Sequence, residues 1–244
     1  MAEPVARTAR FAAALLLGCS ALMVAPHGRA AAAAPAAAPG SRGSSTVSAP
    51  AASASAADAQ ALARVERAVA ALDSVRAEFV QELVDPRTKS VQRATGTLSL
   101  KRPGKFRWDY EQPAQVIVSD GERLWLYDAD LEQVTVRRVR DTLSQTPAML
   151  LSGQARVRDG FVVRAAPSAD GLDWVLLVPK RTDTDFRELR LGFAGDTLQR
   201  MEFDDKLNQR TRIELKRVQR NVRLDDSIFR FVPPPGTDVI GPAT

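Results

Sequence analysis

The chain has 244 residues, 45% hydrophobic and 26% charged, with a formal net charge of +5. That suits one soluble domain with an appended tail, and so modest a charge, with its signs interspersed, argues against a nucleic-acid partner. Cys19 is the only cysteine and His27 the only histidine, so beyond residue 28 there is no Ser-His or Cys-His nucleophile, no imidazole or thiolate zinc site and no internal disulfide.

Arg7 and Arg10 precede an apolar run from Phe11 to Val24, which is short for a membrane span. A positive flank, a short apolar core and the following GRAAAA describe an export signal over residues 1–30, cleaved near Ala30 to Ala34. The competing reading is a helix of the mature fold. Within the run, Leu16-Leu17-Gly18-Cys19 has the form of a lipoprotein processing site, where Cys19 would become the lipidated first residue. The apolar stretch continues past it through Ala21-Leu22-Met23-Val24, which favours ordinary cleavage and a soluble product. Residues 31–57 are nearly all Ala, Pro, Ser and Gly, with prolines at 35, 39 and 50, and read as a low-complexity linker.

The folded domain is expected over 58–244. A helix is predicted from Asp58, a candidate N-cap, to Val84, with Leu62, Val65, Val69, Leu72, Val75, Phe79 and Leu83 at steps of three and four. The period then falls to two. Strands are predicted at 91–100, 105–110, 115–118, 123–127 and 132–139, with Asp120-Gly121 as a hairpin turn. TPAMLLSG predicts a short helix: Thr146 caps it, Pro147 suits its first position and Gly153 ends it. Strands resume at 161–165 and 173–178 around the Asp170-Gly171 turn, and continue at 186–193, 197–203, 210–218 and 229–232. About ten strands with few helices predict a sheet that curls, its open side covered by helices.

The candidate sites follow from this pattern. Phe106, Trp108 and Tyr110 share one face of their strand, while Lys105, Arg107 and Asp109 share the other. Core packing and the wall of a greasy cavity are both open readings. Nucleic-acid stacking is disfavoured because Arg107 lies on the opposite face. In GERLWLYD, Leu124 and Leu126 point one way and Trp125 and Tyr127 the other, so the strand must be covered on both sides or bound to something. The set of cavity candidates is Phe79, Leu98, Leu100, Phe106, Trp108, Tyr110, Val116, Val118, Leu124, Leu126, Val134, Val136, Met149 and Leu150. The acidic pairs Asp128/Asp130, Asp183/Asp185 and Asp204/Asp205 read as solvated turn residues, since nothing sets two carboxyls across a cleft as a glycosidase needs. No glycine-rich phosphate loop occurs, and no cofactor is implied. Arg102, in Lys101-Arg102-Pro103-Gly104, is either a surface arginine or a fork that holds backbone carbonyls of a neighbouring loop or helix end.

These pieces together resemble the LolA family of periplasmic carriers, which move lipoproteins toward the outer membrane of Gram-negative bacteria. The resemblance is carried by RAEFVQ, GTLSLKRPGKFRWDYEQP, VIVSDGERLWLYDADLEQVTV, TPAMLL, LVPK and FRFVPPPGTDVI, which span most of residues 60–240 in family order. It implies an α+β fold: a strongly curved antiparallel sheet forming an incomplete, unclosed β-barrel, covered by a helical lid over a hydrophobic cavity for acyl chains. Arg102 falls on the family's functional arginine and would latch sheet to lid, and Phe106 and Trp108 fall on its cavity-wall pair. The resemblance also implies a monomeric, non-enzymatic chaperone. Its partners would be outer-membrane lipoproteins, an inner-membrane ABC-type release complex that loads it and an outer-membrane receptor that unloads it. Two alternatives share the fold. One is a lipidated outer-membrane receptor or lipid-binding lipoprotein anchored through Cys19. The other is an envelope-stress lipoprotein sensor, which usually carries a further domain, whereas this chain stops at Thr244.

Overall fold

The computed structural model describes residues 55–139, 156–182, 184 and 186–241. Met149, Leu150, Asp183, Asp185 and Cys19, and the short helix expected around Pro147, lie outside them.

Helix α1 spans Ala56–Ala70. Ser55, rather than Asp58, is its N-cap: the Ser55 hydroxyl accepts from the Asp58 N–H at 3.1 Å, and the Asp58 carboxylate accepts from the Ser55 N–H, a reciprocal capping box. The predicted helix therefore ends fourteen residues early, because Ser74–Asp85 is strand β1. The reason is arithmetical. Val75, Phe79 and Leu83 are spaced by four, which keeps one side of a helix and equally one side of a strand. Only the steps of three were diagnostic of a helix, and the last of them, Leu72 to Val75, runs past the helix end into β1.

The other strands are β2 (Ser90–Lys101), β3 (Lys105–Tyr110), β4 (Gln115–Asp120), β5 (Arg123–Asp128), β6 (Gln133–Arg138), β7 (Phe161–Ala165), β8 (Asp173–Pro179), β9 (Phe186–Ala194), β10 (Thr197–Asp205), β11 (Arg210–Arg220) and β12 (Asp238–Ile240). A single turn of helix, α2 (Val157–Gly160), leads into β7. The strand expected at 229–232 is instead the end of a 3-10 turn (Asp226–Phe229) and an unpaired extension. Asp225 nucleates the turn by accepting from the Ser227 N–H at 2.8 Å, and Pro233, Pro234 and Pro235 offer no donors to a ladder.

All twelve strands form one sheet in the order β12-β6-β5-β4-β3-β2-β1-β11-β10-β9-β8-β7. Every ladder is antiparallel except β12 with β6. The expectation of a strongly curved, unclosed barrel is corrected here: the α+β class holds, but the sheet is open, and neither strongly curved nor closed. Its edges, β7 and β12, sit at opposite ends of the order, whereas closure would need them paired. A sheet rolls up to bury one face against itself. This one has separate covers instead, α1 on one face and the C-terminal segment on part of the other.

Ladder partners share a face, so the register sorts the side chains. Phe79, Leu98, Leu100, Phe106, Trp108, Tyr110, Ile117, Leu124 and Leu126 lie on the helix face, and so do Leu215, Met201, Leu191 and Val175. Almost all of them are buried in one continuous core that includes Ala61 and Val65 of α1. Gly96 is required where Tyr110 and Phe79 crowd together: a Cβ there would overlap the Asp109 carbonyl oxygen and press on Phe79 Cζ at 2.8 Å.

Candidate functional site

The Lys101–Tyr110 stretch grips both layers at once. On the opposite face, Lys101 and Lys105 hold the Asp226 carboxylate at 2.7 and 3.0 Å, and Arg107 donates to the Ile228 carbonyl at 3.3 Å. The two ammonium groups hold the Asp226 pKa down at about 2. These bonds fasten the C-terminal segment, and Phe231 then packs on Trp125 and Tyr127 at ring distances of 6.5 and 5.8 Å. That is the second cover the doubly apolar β5 required.

Arg102 reaches the helix layer. Its Nη1 donates to the Val69 carbonyl at 2.6 Å and, at longer range, to the Leu72 carbonyl at 3.4 Å. Its backbone N–H donates to the Asp73 carbonyl at 2.8 Å. The Val69 carbonyl already accepts from the Leu72 N–H at 3.2 Å, so the guanidinium adds a charge-assisted bond where the end of the helix carries partial negative charge.

A second clasp, not apparent in the sequence, holds the same junction. Asn221, at φ +55°, accepts from the Asp73 N–H at 2.9 Å and donates to the Ala71 carbonyl at 3.0 Å, while its own N–H donates to the Ser74 carbonyl at 2.8 Å. The available signal was an Asn at a strand end, a residue type that tolerates left-handed backbone. Its partners nearly 150 residues away were not readable. The other end of α1 is pinned by the Asp58 carboxylate, which accepts from the Ala165 N–H at 2.8 Å. Arg64 also meets Asp173 at 2.6 Å and Arg158 meets Glu66 at 2.7 Å.

Between the C-terminal half of α1 and the sheet lies an apolar cavity of about 40 Å³, lined by Val69, Leu72, Leu98, Leu100, Phe193 and Leu198 among others. It has room for a water or two and is about a tenth the size of an ordinary ligand pocket. Of the expected cavity residues, Leu98 and Leu100 line it. Phe79, Phe106, Trp108, Tyr110, Leu124 and Leu126 share its face without lining it. Phe79 meets Trp108 and Tyr110 edge-on, each at 4.9 Å. Val116, Val118, Val134 and Val136 are separated from this group, because the register puts them on the opposite face with Trp125 and Tyr127. Period-two alternation says which residues share a strand face. Which face turns to the helix depends on pairing.

Among the described residues no group of three or more His, Cys, Asp or Glu side chains is placed to hold a metal. The arrangement is a broad apolar face clasped beneath a helix. The profile for "Outer membrane lipoprotein carrier protein LolA" matches residues 70–232. An outer-membrane lipoprotein carrier protein of Methylobacillus flagellatus is 44% identical over 169 residues, covering 69% of this chain and 82% of the relative. Namesakes from Dechloromonas aromatica (39% over 169 residues, covering 69% and 81%) and Methylococcus capsulatus (42% over 177 residues, covering 71% and 85%) are also similar. The chain belongs to the LolA family of outer-membrane lipoprotein carrier proteins.

Proposed function

We propose that this protein is a non-enzymatic periplasmic chaperone that takes outer-membrane-directed lipoproteins by their acyl chains and shelters those chains between the sheet and α1. The observation that carries the reading is the apolar helix face beneath a helix whose C-terminal end is tied down by hydrogen bonds from Arg102 and Asn221. Lipoprotein cargo and membrane machinery are its partners by family. More finely, an inner-membrane ATP-driven release complex loads it, an outer-membrane receptor unloads it, and it travels as a monomer. Residues 1–30 direct export and are removed, residues 31–57 are a linker, and the remainder carries cargo.

Energetics shape the mechanism. Three acyl chains of about fifteen methylenes each, moved fully from water to oil, would gain about 35 kcal/mol. Affinity saturates near about 20 kcal/mol, and a carrier must surrender its cargo. A cavity of about 40 Å³ cannot hold even one such chain, so α1 must lift on loading. Closing it again when empty favours release, and Arg102 acts as the latch that supplies part of that bias.

The test is purification from periplasm, followed by mass spectrometry of the mature N-terminus and of co-purifying lipid. A fluorescent fatty-acid probe should bind and be displaced by a triacylated lipopeptide. A chain that neither retains lipid nor binds the probe would refute the reading, and acyl groups on Cys19 would make it an anchored protein.

A further inference from the structure

The helix face is not apolar throughout. One row of ladder partners is polar: Tyr110 stands opposite Gln115, Gln115 opposite Asp128 and Asp128 opposite Gln133. On its other side Tyr110 is partnered by Gly96. With no side chain in the way, the Tyr110 hydroxyl crosses β2 and donates to Gln81 Oε1 on β1 at 3.1 Å. Gln81, Tyr110 and Gln115 are only 4%, 4% and 2% exposed. The row lies two and four residues along β2 from Leu98 and Leu100 of the cavity, about 7 and 13 Å at strand rise.

Beside this row, two residues further along β1, one donor is not engaged. A glutamine amide carries two N–H donors, and the Gln81 amide nitrogen has no partner among the described residues, while Gln115 donates to the Asp128 carboxylate at 3.0 Å. Turning the Gln81 amide over would leave a donor unused just the same, because the phenol hydrogen would then be free. Burial raises the Tyr110 pKa, so its hydroxyl stays a donor at physiological pH. The Gln81 amide nitrogen is not sealed from water, so a ligand that brings an acceptor oxygen can take up its free donor. The row holds no cation and includes the Asp128 carboxylate, so it disfavours phosphates and free fatty acids. A neutral carbonyl suits it.

We propose that Gln81 and Tyr110 form a subsite for the ester and amide carbonyls that join acyl chains to a lipoprotein's N-terminal cysteine. The subsite rests on the carrier reading above, with the chains lying along Leu98 and Leu100. It favours acyl chains carried on neutral ester or amide linkages over ionised free fatty acids, by hydrogen bonding to the linkage carbonyl.

The experiment compares the wild-type protein with Tyr110→Phe and Gln81→Leu, using a synthetic tripalmitoylated cysteinyl peptide and an alkyl pyrene that carries no carbonyl group. Each substitution should weaken lipopeptide binding about two- to tenfold, the loss of one neutral hydrogen bond, and leave alkyl pyrene binding unchanged. The second ligand also reports an intact fold. Unchanged lipopeptide affinity, or equal weakening of both ligands, would overturn the subsite alone. A wild-type protein that binds neither ligand would overturn the carrier reading and the subsite with it.

Discussion

Replacing Arg102 by Leu keeps an apolar stem and removes the guanidinium from the end of α1. The bond to the Val69 carbonyl at 2.6 Å is short and charge-assisted, while that to Leu72 at 3.4 Å is long and adds little. A charged donor on a carbonyl is worth about 1.5–3 kcal/mol, and the half-buried setting favours the lower part of that range. About 2 kcal/mol taken from the closed state shifts the open-to-closed ratio of α1 about thirtyfold. Hydrogen exchange of the amides near Ala70 should accelerate by about that factor, provided exchange there proceeds by lifting of the helix. The same loss makes the loaded, open form relatively more stable, so Arg102→Leu should accept cargo and pass it poorly to the receptor. Arg102→Lys should fall between, since an ammonium can meet one carbonyl but is not a planar fork. Wild-type exchange in α1 together with wild-type transfer would refute the latch.

Three further outcomes are expected. Asn221→Gly keeps the left-handed backbone and loses both side-chain bonds, so exchange of the Asp73 amide should accelerate about five- to tenfold. Asn221→Ala adds backbone strain and should have the lower urea midpoint; equal protection of Asp73 in wild type and both variants would remove this clasp. The Asp58, Glu66 and Asp173 carboxylates all have lowered pKa values, chiefly through the Ala165 N–H, Arg158 and Ser168 respectively. Their support for α1 is complete above the ordinary values of 3.8 and 4.5 and is lost as pH falls through the lowered folded values. Amide shifts of α1 followed by NMR should therefore hold steady from pH 8 to about 5 and change only in stronger acid; a midpoint near neutrality would contradict this. Finally, Gly96→Ala should cost about 3 kcal/mol in urea unfolding, because neither the Asp109 carbonyl nor the Phe79 ring beside it can retreat without disturbing the ladder. An unchanged midpoint would count against that packing.

Local signals were legible wherever a residue's neighbours in sequence decide its conformation. Period-two alternation placed β3 and β7 at their observed bounds, 105–110 and 161–165. Asp120-Gly121 and Asp170-Gly171 turn their hairpins with positive φ at Gly121, Asp170 and Gly171. The KRPGKFRW and VSDGERLWLYD motifs carried the family. A helix overrunning into β1 was the cost of spacings that satisfy two periods at once.

What remained to the tertiary structure was everything that depends on long-range pairing. The chain alone shows that Val116 and Val134 alternate with their neighbours. Only the ladder from β3 to β6 turns them away from Trp108. Alternation along the chain implies a large sheet, but whether it curls or stays open depends on which surfaces find covers, and Phe231 and α1 supply those from distant parts of the chain. Arg102 was recognisable as a possible fork from its dipeptide, whereas Asn221 became visible only once β11 brought it to the end of α1. A side chain's type and local backbone are written within a few residues; its partners are set by contacts that reach from 29 to 150 residues along the chain, which no local period encodes.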